Sequence, residues 1–351
     1  MSEDILFERR GALGLVTLNR PKALNALTQD MLRRLHARLE AWAEDEAVAC
    51  VAIQGAGERA FCAGGDIRAL YEKGVARGRE NWSFYWDEYR LNAFIRRFPK
   101  PYVAFMDGIV MGGGVGVSIH GSHRVAMDGA RFAMPETGIG LFPDVGATCF
   151  LPRLPGETGM WVALTGARLD ASDCVVGGVC DLRMASADRE AALQALAAAD
   201  YGDSPKATVG ARLSRWKISP DPCALYERRS QIDLCFAGDS VEDVLAALEA
   251  DGSDWARTQR EAILSKSPSS TRIAFRQLRE GARMGFEDAM RLEYRLARWC
   301  MTHPDFYEGV RATVIDKDGA PRWRPATLEE ADDAHVADAF APLPEGEELA
   351  L

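Results

Sequence analysis

The sequence predicts an α/β fold over residues 1–205 followed by a mostly helical part over residues 206–351. Two observations predict it. In the first part, short apolar runs of strand length alternate with longer stretches whose apolar residues recur at helical spacing. Beyond about residue 205 the strand-length runs give way to continuous helical periodicity.

The elements can be justified in order. "LGLVTLN" (13–19) reads as a strand that stops at Arg20-Pro21, since proline has no N–H for a sheet ladder. "TQDMLRRLHARLEAWAED" (28–45) places Leu32, Leu35, Leu39 and Trp42 on one helical face, with Thr28 as N-cap. "VACVAIQ" (48–54) is a buried strand, and "DIRALYEKG" opens a helix with Asp66 near its positive end. "SFYWDEYRLNAFIRRF" (83–98) is amphipathic, whereas "PYVAFMDG" (101–108) and "HRVAMD" (123–128) are strands. In the second part, 240–251, 254–266 and 269–303 read as helices, the last broken near Gly281, and a Pro- and acid-rich tail is expected to pack on the surface.

Composition narrows the function. The chain has 351 residues, 47% apolar and 27% charged, which suits a globular protein with a large core. A net charge of −10 disfavours nucleic acid and anionic membranes as partners. No run of about 18 apolar residues spans a bilayer. The eight cysteines include no CxxC pair, so buried free thiols are expected rather than a zinc or redox site. The acidic start, "MSEDILFERR", has no apolar stretch typical of a secretory signal and is not Arg/Ser-rich. A cytoplasmic location is therefore expected.

Two segments combine glycine with apolar residues: "FCAGGDIRAL" (61–70) and "DGIVMGGGVGVSIHG" (107–121). Glycine permits close backbone approach and leaves amides uncovered. Two such amides can hold one oxyanion, a device suited to thioester chemistry, although tight turns and close packing would also explain the glycines. Three further motifs lose on context. "GAGERA" (55–60) follows a strand like a dinucleotide fingerprint, but two more glycines stand where a helix should begin. "GVSIH" (116–120) fails the nucleophile-elbow pattern at His120, and Ser118 and His120 are two apart. His120 and His123 have no carboxylate at matching spacing for a metal.

"MPETGIGLFPDVG" (134–146) sets two carboxylates, Glu136 and Asp144, into an apolar and irregular stretch. In one reading Glu136 caps a turn and Asp144 makes an Asx-turn after Pro143. In the other they form the polar floor of an apolar pocket, where desolvation and mutual repulsion raise at least one pKa. Spacing alone favours the first.

"NRPKALNAL" (19–27), "FCAGGDI" (61–67), "KPYVAFMDGIVMGGGVGVSIHG" (100–121) and "MPETGIGLFPDVG", in this order, resemble the enoyl-CoA hydratase/isomerase (crotonase) superfamily. The resemblance is nearest to its 3-hydroxyisobutyryl-CoA hydrolases and continues through "SPSSTRIAFRQLREG" (267–281) and "FYEGVRATVIDKDGAPRW" (306–323). It implies a spiral of strand-strand-helix turns with a helical C-terminal part. It also implies an oxyanion hole from the amides of Gly65 and Gly113. The first glutamate of a hydratase is replaced by Gly116, the second is matched by Glu136, and an extra acid, Asp144, stands where hydratases carry a small residue. That exchange resembles the hydrolases. Glu88 matches an acid that contacts substrate there, and Lys22 lies where members contact CoA. The implied reaction is hydrolysis of a short β-hydroxyacyl-CoA in valine catabolism. Coenzyme A is then part of the substrate, with no separate cofactor or metal, and a homo-oligomer is compatible. A hydratase or isomerase, and an idle CoA-binding protein on the same scaffold, are the rival readings.

Overall fold

The structure is a computed structural model that describes residues 3–77 and 82–351; Met1 and Ser2 of the acidic start lie outside the described residues. The chain forms two compact units, each assembled from three stretches. Unit 1 comprises Met1–Gly65, Arg90–Phe132 and Leu169–Glu227; unit 2 comprises Asp66–Tyr89, Ala133–Arg168 and Arg228–Leu351. This differs from the boundary expected near residue 205. Every element assigned from Pro205 onward is helical, so the change of texture is there. Compact units, however, are set by which segments bury their apolar faces together, and 66–89 and 133–168 do so with the late helices.

Unit 1 is built on nine strands: β1 (Ile5–Arg10), β2 (Leu13–Leu18), β3 (Cys50–Gly55), β4 (Ala60–Cys62), β5 (Tyr102–Met106), β6 (Ile109–Met111), β7 (His123–Met127), β8 (Arg131–Ala133) and β9 (Leu182–Met184). Six form a sheet in the order β1-β2-β3-β5-β7-β9. β1 and β2 make an antiparallel hairpin, with Ile5 opposite Leu18 and Arg10 opposite Leu13. Its turn needs Gly11, whose φ is +54° and where a Cβ would lie 2.4 Å from the Ala197 carbonyl oxygen. The other neighbours are parallel. Parallel strands covered on both faces read as unbroken apolar runs, and all five residues of β5 are buried.

One face of this sheet carries alternate residues of each strand. Leu13, Leu15, Cys50, Ala52, Val103 and Phe105 share a core with Leu193 and Leu196 of the helix Arg189–Ala197. Val209 and Leu213 of the helix Pro205–Leu213 complete it. The helix Gln29–Glu44 starts as expected: the Thr28 hydroxyl accepts from the Met31 N–H at 3.2 Å. β1 was not legible, because it is a half-exposed edge strand carrying Glu8, Arg9 and Arg10, which blunt edge pairing. A second sheet runs β4-β6-β8, with β4 and β6 parallel and Ala60 opposite Ile109.

Unit 2 holds the long helices Pro268–Gly281 and Phe286–Thr302, separated where the sequence placed a break. Gly281 is required by packing, since a Cβ there would lie 2.0 Å from the Thr148 carbonyl oxygen. The tail is tied to the first of these helices. Arg272 donates to the carbonyls of Leu328 and Ala331, and Arg276 lies 3.9 Å over the Phe340 ring. No helix among the described residues is long and apolar enough to cross a membrane.

Candidate active site

The two glycine segments meet within unit 1. Pairing of β4 with β6 sets "FCAGGD" beside "MGGGV". A Cβ on Gly64 would lie 3.6 Å from both the Gly112 Cα and the Gly113 N. Gly113 opens the one-turn helix Gly113–Gly116, so its N–H has no acceptor within that turn. Gly65 is paired in a bridge with Leu27. Part of the glycine density is close packing: a Cβ on Gly114 would lie 2.3 Å from the Cys62 carbonyl oxygen. The amide-bearing positions Gly65 and Gly113 thus share one neighbourhood of unit 1.

Glu136 and Asp144 lie in unit 2, in an irregular segment buried throughout 140–149. A buried loop must still satisfy its backbone polar groups. Here late side chains do it. Gln277 Nε2 donates to the Pro143 carbonyl at 2.5 Å. Glu293 accepts from the Gly146 N–H at 2.7 Å and from the Thr148 N–H at 2.9 Å. Glu136 begins the 3₁₀ turn Glu136–Ile139 and its carbonyl accepts from Leu141 at 3.1 Å. Gly140, with φ +70°, lets the turn pass close to the backbone of Asp305. The Gly146 N–H that an Asx-turn at Asp144 would use goes to Glu293, and the buried Asp144 carboxyl accepts from the Tyr89 hydroxyl at 2.9 Å.

Four carboxyls gather in this unit: Glu88, Glu136, Asp144 and Glu293, all buried. Burial pushes Asp144 up to about 7, against the opposing pull of the Tyr89 hydrogen bond. Repulsion from both Glu136 and Asp144 is felt at Glu88. Its carboxyl is held well above the usual range by burial first, then by the charges of Asp144, Glu293 and Glu136. Glu293 is pushed up to about 8 by burial, with the amide bonds from Gly146 and Thr148 working the other way. Carboxyls shifted toward neutrality in a dry cluster can hold or release protons near pH 7, as acid/base chemistry requires.

The helix Ser83–Arg97 presents Tyr85, Glu88 and Tyr89 at i, i+3 and i+4, one face of a helix. Tyr85 Oη and Glu88 Oε1 are buried and make no hydrogen bond among the described residues. Unpaired buried polar atoms destabilise a fold and commonly mark a place for a polar ligand group. Tyr85→Phe is accordingly expected to stabilise the ligand-free protein by about 1 kcal/mol, read from urea unfolding. A loss of stability would mean that the hydroxyl has a partner in solution.

Other expectations resolve plainly. Lys22 sits exposed on the turn Pro21–Ala23 of unit 1. Ser118 Oγ donates to the carbonyls of Gly114 and Val115, which makes it a helix-back-bonded serine. The His123 ring bonds Ser122 and the Lys206 carbonyl. All eight cysteines are free and buried. Sequence reasoning missed Tyr89, Gln277 and Glu293. A usable signal existed for the last: Glu293 interrupts the apolar face formed by Met290, Leu296, Ala297 and Cys300.

The chain belongs to the enoyl-CoA hydratase/isomerase family, whose model matches residues 13–340. Among curated relatives, the mitochondrial 3-hydroxyisobutyryl-CoA hydrolase of Danio rerio is 45% identical over 347 residues, covering 97% of this chain and 90% of that protein. The protein of the same name from Homo sapiens is 42% identical over 347 residues, covering 97% and 89%. Among solved structures, a carnitinyl-CoA dehydratase from Mycobacterium thermoresistibile superposes with a TM-score of 0.92 at 43% identity, covering 99% of both chains. An enoyl-CoA hydratase from Rhodobacter sphaeroides 2.4.1 gives 0.91 at 37% identity, covering 99% of this chain and 100% of its own. The fold expected from the resemblance is thereby shown. The cytoplasmic expectation is overturned, because the curated relatives are named as mitochondrial proteins. Acidic charge and buried thiols carry no address that separates one reducing compartment from another.

Proposed function

We propose that this protein hydrolyses a short β-hydroxyacyl-CoA thioester, foremost 3-hydroxyisobutyryl-CoA, to the free acid and CoA. One observation carries the reading. Glu136 and Asp144 are buried in a single acid cluster, while position 116, the other acid position of a hydratase, is glycine. The full-length similarity to hydrolases of that name supports it.

The roles follow from chemistry. By the family pattern, the Gly65 and Gly113 amides hold the thioester oxygen as it gains charge. Glu136 either takes a proton from water, which then attacks the carbonyl carbon, or attacks it directly to form an anhydride that water cleaves. In both routes the C–S bond breaks and the thiolate gains a proton. Asp144, pushed up to about 7, is present in both forms near neutrality and can supply that proton. Glu88 accepts a hydrogen bond from the β-hydroxyl of the acyl group through Oε1. Lys22 contacts the CoA portion. Coenzyme A enters as part of the substrate, and the proposed steps draw on no metal or redox cofactor. A hydrolase of this specificity belongs to valine breakdown.

The names of the two solved relatives support a second reading, a hydratase on the same scaffold. A thiol-reagent assay separates the two. The hydrolase should release free CoA from 3-hydroxyisobutyryl-CoA and 3-hydroxypropionyl-CoA and should hydrate crotonyl-CoA poorly. Efficient hydration of crotonyl-CoA without thiol release would favour the second reading. Binding of CoA esters with neither reaction would make the chain an idle member.

A further inference from the structure

We propose that Glu293 is a positioning residue whose carboxyl group fixes the backbone that carries Asp144. The proposal rests on the hydrolase reading for its kinetic consequence and on geometry for its structural one.

Asp144 is followed by two residues with positive φ, Val145 at +54° and Gly146 at +95°. Left-handed backbone is ordinary for glycine but strained for a β-branched residue, at roughly 1–3 kcal/mol, and it persists only where the surroundings over-determine it. The surroundings here are specific. Glu293 Oε2 accepts from the Gly146 N–H at 2.7 Å and Oε1 from the Thr148 N–H at 2.9 Å. The two N–H groups point at one place, and in this chain a buried carboxyl of the protein itself accepts both. On the other flank, Gln277 Nε2 holds the Pro143 carbonyl at 2.5 Å. The Tyr89 hydroxyl then fixes the Asp144 carboxylate itself at 2.9 Å. The segment 143–148 is thus clamped at three backbone groups and one side chain.

Packing alone does not call for this acid. Glu293 has no exposure and stands on the buried face of the helix Phe286–Thr302 between Met290 and Ala297. An apolar side chain there would avoid burying a carboxyl group and would fill the same stripe. What it would not do is pair two amides whose orientation sets the left-handed turn behind Asp144. The helix carrying Glu293 lies almost 150 residues downstream, at a sequence separation of 147 from Gly146. Asp144 and its support are therefore joined by tertiary structure alone.

The test compares Glu293→Gln and Glu293→Ala in the full chain. Glutamine keeps one accepting oxygen and the shape of the side chain; alanine keeps neither. For 3-hydroxyisobutyryl-CoA, kcat should fall about 10-fold in Glu293→Gln and on the order of 100-fold in Glu293→Ala, with KM within about 3-fold of the parent, because misplacing a reacting group by an ångström costs about that much. Amide hydrogen exchange, read without substrate, should quicken at Gly146 and Thr148 in both variants, more in Glu293→Ala, relative to the amides of the helix Pro268–Gly281. If Glu293→Ala does not fold, the isosteric Glu293→Gln decides. Parental kcat in the folded variants, or a loss that merely follows the unfolded fraction, overturns the positioning role. Unchanged exchange at Gly146 and Thr148 overturns it as well. If the parent itself releases no CoA, the hydrolase reading fails, and the exchange experiment still decides whether Glu293 fixes this backbone.

Discussion

Glu136→Gln is expected to lower thioester hydrolysis by between about 100-fold and 10,000-fold, the range over which a positioned general base contributes. The substitution keeps the shape of a buried side chain and removes its capacity to ionise. Glutamine can neither take a proton from water at neutral pH nor form an anhydride, so both routes close. Affinity for free CoA should survive, since the CoA portion is held by other groups. The loss should therefore appear in kcat with little change in KM, measured by thiol release under saturating substrate. It should also relieve Glu88, whose carboxyl is raised in part by the Glu136 charge. Parental turnover in a folded Glu136→Gln protein would remove this residue from the mechanism.

Asp144→Asn should reduce turnover on the order of 100-fold and should change how stability depends on pH. The kinetic effect follows from losing a proton donor that titrates near neutrality. Combined with Glu136→Gln, its loss should be far from additive, because residues acting as one unit do not contribute independently. The stability effect has a definite sign. Burial raises the Asp144 carboxyl to about 7 in the folded protein, above an ordinary aspartate near 3.9. The folded state therefore holds its proton longer than the unfolded state. The associated stability is complete below about pH 4 and is lost as pH rises through about 7. Asparagine does not titrate, so the variant should lose less stability than the parent between those limits in urea unfolding at matched ionic strength. Parallel stability curves for parent and variant would mean that Asp144 keeps an ordinary carboxylate in the fold.

Much of the scaffold was legible before any coordinates. β2, β3, β5 and β7 announce themselves as apolar runs because parallel strands are covered on both faces. The helix from Gln29 to Glu44 announces its own start through Thr28. The strands β4, β6, β8 and β9 were not legible, each being only three residues long. A period of two cannot be read from three residues. The division into units was also hidden. Residues 66–89 and 133–168 carry no local mark of joining the late helices, and they are drawn there by the apolar faces they bury.

The acids show the same division at the scale of the site. The motifs alone carry Glu136, Asp144 and Glu88, a glycine rather than an acid at 116, and glycine at 65 and 113. These are statements about residue types at fixed spacing, and the chain alone carries them. The three-dimensional packing buries Asp144 against the Tyr89 hydroxyl, and burial rather than a neighbouring charge raises it. It also brings Glu88 under the charges of Asp144, Glu293 and Glu136, and lets Gln277 and Glu293 hold the loop around Asp144. The reason is physical. Periodicity, caps and glycine turns are set by hydrogen bonds and sterics within a few residues. Desolvation and charge coupling depend on distance through space, between groups as far apart along the chain as Glu88 and Glu293.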